Sequence, residues 1–344
     1  MNLRAYEKSR WLFRILRDFY LTGKNVDRAT ARLLLKMLEQ DTEFFRYNKL
    51  LVALADLCRP LSCNVDILNQ RLHRYKIYHE EIKRISRAMI SEGVNFVFIK
   101  TITVFPKDIA DIDILVHGND DLTIAENILK NFGYSKRKKS QAQHLWSLRR
   151  NNVIVDVELH TTIAAAGYEY YPKDIIFRNS VELDEVKIPS PLNSILLNIA
   201  HCVVKDLYVT LADLLDFYLT LSKYNVDLDQ LISFAKDIGL STPLYLFLYL
   251  IGIFNKESYE EINYLTQHSF LRRISVSTDW TEMPLRPSIV TLILSYLENT
   301  AIKLKYKPLI KVLRELLSLP QGKGIDTLLY YIIGRKPLVK KFSE

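Results

Sequence analysis

Apolar positions recur at helical spacing towards both ends of the chain and at strand spacing only between them. Trp11, Ile15 and Phe19, then Ala31, Leu34, Leu35 and Leu38, fall three or four residues apart, which predicts helices over residues 1–70. The turn-rich segment CRPLSCN at 58–64 interrupts this run, and a long helix is expected over about residues 66–92. Its positions Tyr78, Ile82, Ile85 and Met89 share one face, and Gly93 stands where a C-terminal cap belongs.

The period then changes. VNFVFI at 94–99 is short, β-branched and aromatic, so it reads as a strand. DIDILV at 111–116 alternates charged and apolar residues before turning wholly apolar, which marks a central strand rather than an edge. Asn119-Asp120-Asp121 supplies an N-cap for a helix that buries Ile124, Ile128, Leu129 and Phe132 and stops at Gly133. Residues 143–148 form a third strand and NVIVDVELH at 152–160 a fourth, joined by a hairpin turn at Asn151-Asn152. On the fourth strand Val153, Val155, Val157 and Leu159 share one face, and Ile154, Asp156, Glu158 and His160 share the other.

From Pro189 onward the pattern is helical again, punctuated by prolines. The apolar stretch TPLYLFLYLIGIF at 242–254 is about half of what a bilayer span needs, so a buried helix is expected there. The fold class that follows is α/β of the α+β kind, with a small mixed sheet and helical regions at both ends. Four segments are expected: an N-terminal helical region 1–70, a sheet-bearing core 71–187, a helical domain 188–255 and a C-terminal helical, basic region 256–344.

Charge refines this picture at one end. The net charge is +8, and residues 301–344 carry ten Lys or Arg against three acids, which leaves +1 for the rest. Such a stretch suits either a solvated surface or a polyanion such as RNA. Cys58, Cys63 and Cys202 are odd in number and irregular in spacing, so neither a disulfide framework nor a zinc site is expected. With no signal-like apolar segment at the start and no membrane span, a cytoplasmic, reduced protein is expected. There is no G-x-S-x-G, no G-x-G-x-x-G and no P-loop, which removes the α/β-hydrolase, dinucleotide-binding and P-loop classes.

The chemistry concentrates on Asp111-Ile112-Asp113. Residues two apart on a strand share a side, roughly 6–7 Å apart. Buried like charges must share a proton or hold cations. Oxygen ligands of this kind suit Mg²⁺ or Mn²⁺, and two such ions about 3.5–4 Å apart form the clamp used in phosphoryl-type displacement. A third carboxylate from a neighbouring strand is then needed, and Asp156 and Glu158 are the candidates. A bare D-x-D also fits an exposed sheet edge.

FIK at 98–100, FP at 105–106, DIDILV at 111–116, FGY at 132–134, His144 and VELH at 157–160, in that order, resemble an uncharacterised nucleotidyltransferase family of the DNA polymerase β-like superfamily. The similarity continues through 188–206, 211–221 and 228–240 and covers roughly residues 70–255. The resemblance implies metal-dependent transfer of a nucleoside monophosphate from an NTP to a hydroxyl, with pyrophosphate leaving. It implies Asp111, Asp113 and Glu158 as catalytic metal ligands of two Mg²⁺ or Mn²⁺ ions, with Asp156 as the rival to Glu158. Lys100, Thr101, Lys107 and His160 fall at nucleotide-binding positions, His160 either contacting phosphate or orienting an acid. Two positions depart from the family pattern. Thr101 stands where relatives have glycine, and its β-branch crowds the approach of phosphate. Lys107 stands where they have arginine, which exchanges a bidentate fork for a point charge. These departures keep open a second reading, a non-catalytic member that binds nucleic acid or a protein.

Three further groups admit two readings each. Lys136-Arg137-Lys138-Lys139 suits an RNA or triphosphate contact, or a solvated loop. His201, Asp206, Asp213 and Asp216 suit a lid over the nucleotide, or a core histidine with helix-surface acids. Tyr168, Tyr170 and Tyr171 suit base stacking, or hydrophobic packing.

Overall fold

The computed structural model describes residues 5–59, 65–139, 143–165, 167–255 and 284–318. Cys63, most of the 58–64 turn and the basic residues beyond 318 lie outside them. In chain order the described elements begin with helices α1 (Ala5–Thr22), α2 (Arg28–Gln40), α3 (Thr42–Tyr47), α4 (Leu51–Cys58) and α5 (Asp66–Ser91). Strands β1 (Phe96–Phe98) and β2 (Ile112–Val116) lead to helix α6 (Asn119–Asn131). Next come β3 (Ser135–Lys139), β4 (Gln143–Arg150), β5 (Val153–His160), β6 (Ile163–Ala165), β7 (Tyr168–Tyr171), helix α7 (Lys173–Arg178), β8 (Ser180–Leu183) and β9 (Val186–Pro189). Helices α8 (Pro191–Ala200), α9 (Leu211–Lys223), α10 (Leu228–Asp237), α11 (Ser241–Phe254), α12 (Ile289–Tyr306) and α13 (Leu309–Ser318) follow, with a π-helical turn His201–Asp206 between α8 and α9. The architecture is the expected one, a small mixed sheet with helices at both ends.

The chain divides into two compact units. One comprises Met1–His73, Thr103–Asp108 and Asn198–Asn299, and the other Arg74–Ile102, Ile109–Leu197 and Thr300–Glu344. The first is helical. Helix α1 has the expected period, but its core face is Leu12, Phe13 and Leu16, while Trp11, Ile15 and Phe19 are only half-buried. The face is set by tertiary partners: the Phe13 ring packs on Tyr218 of α9 and Phe254 of α11. Helix α11, the apolar stretch, is buried along most of its length, and no described helix is long and apolar enough to cross a membrane.

The second unit carries the sheet, in the order β1-β2-β5-β4-β3. Strands β2 and β5 run parallel, and the other pairs are antiparallel. All of β2 is buried, as its apolar half predicts for a strand with neighbours on both edges. Helices α5 and α6 supply Ile82, Ile85, Met89, Ala125, Ile128 and Leu129 to a core shared with Ile112, Ile114, Val155, Val157 and Leu159. The buried Tyr78 of α5 reaches the Ala110 carbonyl at 2.9 Å and the Ile154 carbonyl at 3.1 Å, so one hydroxyl ties the approaches to β2 and β5 together. Asn151 and Asn152 both adopt positive φ, the form a two-residue hairpin demands. Gly118, rather than Asn119, is the N-cap of α6, and the Asp121 carboxylate accepts from its backbone N–H.

Two features depart from the reading of the sequence. Residues 135–139 form an edge strand rather than a loop, because an edge needs one partner only and tolerates lysine. Residues 163–189 hold two short hairpins, β6–β7 and β8–β9. The turn of the second is made by Asp184 and Glu185 at positive φ, residues that carry no hairpin signal in sequence.

The described part of the basic C-terminal stretch is partly engaged within its own unit. Lys307 pairs with Glu169 and Glu315, and Lys303 donates to Glu315 at 2.8 Å while lying over the Tyr168 ring. Burial pushes the Lys303 ammonium down to about 8, against the pull of Glu315. A lysine whose folded value lies below its unfolded value destabilises the fold while charged. That cost is full below about pH 8 and fades as the pH rises towards the ordinary 10.5. Stability relative to Lys303→Met is therefore expected to rise between about pH 8 and 10.5, and urea denaturation of the two proteins across that window measures it.

Candidate functional site

The parallel register of β2 and β5 places Asp113 opposite Glu158, and Leu115 opposite His160. Alternation on β5 then brings His160 to the side that carries Glu158. The His160 Nε2 lies 2.7 Å from Asp113 Oδ1 and 3.5 Å from Glu158 Oε2. One ligating atom from each of the three residues lies within 4.8 Å of the others. All three residues are buried, at 5–7% exposure. The set of two carboxylates and one imidazole suits a divalent cation.

Lys100 follows β1 and takes a left-handed backbone, φ +62°. That conformation is uncommon for a side chain other than Gly, Asn or Asp. The ammonium sits 3.0 Å from Asp113 Oδ2. Burial opposes its charge, but Asp113, Asp111 and Glu158 together outweigh burial and hold the lysine above its ordinary range. Asp113 is therefore addressed on both oxygens, by His160 on one and Lys100 on the other.

Thr101 has a structural task that the sequence did not reveal. Its Oγ1 accepts the Asp113 backbone N–H at 3.0 Å and donates to the Ile99 carbonyl at 3.2 Å. The Ile99 N–H in turn donates to the Asp113 carbonyl. The positive φ of this turn falls on Lys100, not on Thr101, so the β-branch meets no backbone strain. The hydroxyl pins the start of β2 where glycine would offer only space.

The remaining candidates are placed as follows. Asp111 precedes β2, is partly exposed, and acts on Lys100 through its charge. Asp156 lies on the Glu158 side of β5 but accepts from the Ser147 hydroxyl of β4, its register partner. Lys107 belongs to the helical unit, 4.0 Å from Asp216 Oδ2. Asp216 also accepts from Asn198 and from the Val104 N–H. Burial pushes its carboxyl up, and Lys107 opposes that. Asp213 caps α9 with Thr210, and Lys49 stands 3.9 Å away. Burial works against the Asp213 charge, but Lys49 and Lys107 prevail and lower its value. These acids are thus buried and partnered inside the helical unit rather than lying on a helix surface. Lys49, a lone lysine between two helices, carried no sequence signal for this.

His201 lies 3.2 Å from Asp206. Lys136 pairs with Glu126, which also meets His144, and its ammonium lies 5.3 Å from the Trp146 ring centre. Tyr168, Tyr170 and Tyr171 are packing residues, each at 2% exposure or less, and the Tyr171 hydroxyl donates to Asn193.

Acidic side chains from two parallel central strands of a mixed sheet thus meet in one buried group. The chain belongs to a family of uncharacterised nucleotidyltransferases, whose model matches residues 68–254, more than half of its 344 residues. No curated protein and no solved structure matches it. Membership suggests nucleotidyltransferase activity in general and names neither substrate nor acceptor.

The Thr101 hydroxyl is expected to matter for the turn and not for its size. Thr101→Val, which leaves the Asp113 N–H without its acceptor, should lose about 1–3 kcal/mol of stability, and Thr101→Ser should stay within about 0.5 kcal/mol of the parent. Chemical denaturation of both variants reads the difference.

Proposed function

We propose that the protein transfers a nucleoside monophosphate from an NTP to a hydroxyl acceptor, releasing pyrophosphate. The observation that carries this reading is the convergence of Asp113, Glu158 and His160 from adjacent parallel strands into one buried donor set. Asp111, Asp113 and Glu158 are the catalytic carboxylates of the proposal. Asp113, Glu158 and His160 would hold a divalent cation of the Mg²⁺ or Mn²⁺ kind, with Asp111 beside them and Asp156 in reserve. Such a cation, when bound, supplies Lewis-acid stabilisation of charge on the phosphoryl oxygens.

The residues divide the remaining work. Lys100, held charged by its acidic neighbours, meets the triphosphate and offsets the negative charge that grows on the departing pyrophosphate. Glu158 orients the acceptor hydroxyl and receives its proton. The acceptor oxygen then bonds to the α-phosphorus as the bond from that phosphorus to the bridging oxygen breaks. Thr101 contributes by fixing Asp113 rather than by touching phosphate. Lys107, paired with Asp216, takes part in this proposal only as a nucleotide contact assigned by family position.

The acceptor class includes an RNA 3′ end, a small-molecule alcohol or a protein side chain. The charge of +7 over residues 301–344 favours RNA.

Asp113→Asn keeps the shape of the site and removes a charge that both His160 and Lys100 address. Transfer of label from α-labelled NTP is expected to fall by roughly a hundredfold or more, with the circular dichroism of the parent retained. Undiminished incorporation by the variant sinks the proposal. RNA binding by the parent in the absence of NTP binding, measured by calorimetry with Mg²⁺ present, supports a non-catalytic module instead.

A further inference from the structure

The ions of a two-cation centre stand about 3.5–4 Å apart, close enough for one carboxylate to bridge them with one oxygen on each. Asp113 is the residue placed to do so, since its carboxylate meets both His160 and Lys100. Its two oxygens have different partners. Oδ1 faces the His160 Nε2 at 2.7 Å, and Oδ2 faces the Lys100 ammonium at 3.0 Å. The oxygen that would reach a second ion is therefore in contact with a fixed positive charge.

The donor spacing on the other side fits a single ion. Atoms that share one divalent ion at about 2.0–2.2 Å stand roughly 3–3.5 Å from one another. The His160 Nε2 is 2.7 Å from its Asp113 neighbour and 3.5 Å from its Glu158 neighbour, and all three ligating atoms lie within 4.8 Å of one another, a group that one ion can gather. Charge counting agrees. Asp111, Asp113 and Glu158 contribute −3 and Lys100 contributes +1, which leaves −2 for one divalent cation to balance. Without substrate, two ions would leave these side chains with an excess of +2.

We infer that the site takes one divalent cation, ligated by Asp113, Glu158 and His160, and that the Lys100 ammonium stands in for the second cation of a two-ion centre. This rests on the nucleotidyltransferase reading above and replaces the pair of ions expected from the sequence. His160 is then a metal ligand rather than a phosphate contact. Lys100 meets the Asp113 carboxylate from a turn in which it takes a left-handed backbone.

The test uses the full chain, stripped of metal and titrated with Mn²⁺, with free Mn²⁺ followed by electron paramagnetic resonance. The wild-type protein is expected to bind one ion per chain, and spin-echo modulation of the bound ion should show the nitrogen of one imidazole. His160→Gln should lose that modulation and bind at least about tenfold more weakly. Lys100→Met should bind a second ion, and Lys100→Arg, which keeps the charge, should remain at one. Two ions on the wild-type chain, no nitrogen modulation, or a Lys100→Met variant that stays at one ion each overturn the inference. Should Lys100→Met fail to fold, the wild-type count and the spin-echo signal still decide. Two ions with nucleotidyl transfer intact defeat this inference alone. No bound ion and no transfer defeat the function proposed above as well.

Discussion

Burying two carboxylates against each other is unfavourable unless something of opposite sign comes with them, and the sheet unit is arranged around that requirement. Asp113 and Glu158 stand opposite one another across the parallel pair β2–β5, each almost fully removed from solvent. Their charge is met by the Lys100 ammonium, itself nearly buried, and the buried His160 ring lies within hydrogen-bonding distance of Asp113. Packing constrains the backbone so that this happens. The core made by α5, α6 and the apolar residues of β2 and β5 fixes the strand register, and a slip of one residue sends each carboxylate to the opposite face.

Small polar devices then hold the ends of the strands. Tyr78 secures the residues entering β2 and β5 from the helix side. Thr101 secures β2 from the Lys100 turn, using both hydrogen-bonding functions of its hydroxyl. A glycine at that place leaves room for phosphate, whereas threonine gives the room up for rigidity, and the unusual backbone angle falls on Lys100. The substitution that counted against activity in the sequence is, in three dimensions, part of what positions Asp113.

Much of this was legible in the order of residues. Period-two alternation on 153–160 and the all-apolar end of 111–116 carried enough information to place β2 centrally, because burial on both faces leaves no polar positions to disguise it. The hairpin at Asn151-Asn152 and the ends of α5 and α6 announced themselves through residues that tolerate positive φ. Less legible were features fixed by partners distant in sequence. The core face of α1 depends on Phe13 meeting Tyr218 and Phe254, and the edge strand of four basic residues depends on β4 alone. Within the site, Asp156 and Glu158 were equivalent by alternation, and what separates them is the register that sets Glu158 opposite Asp113 and the Ser147 hydroxyl that Asp156 accepts. His160 was legible as a neighbour of the acids, but its reach between Asp113 and Glu158 follows from the strand register.

The central claim is that acids on two adjacent strands converge closely enough to trap a divalent cation. A crystal structure of the protein grown with Mn²⁺, with anomalous scattering recorded near the manganese edge, addresses this directly. The expected result is an anomalous peak about 2.0–2.4 Å from one oxygen each of Asp113 and Glu158 and from the His160 Nε2. Carboxyl groups at 113 and 158 on opposite sides of the sheet, or a manganese peak bound elsewhere with none between them, would contradict the account.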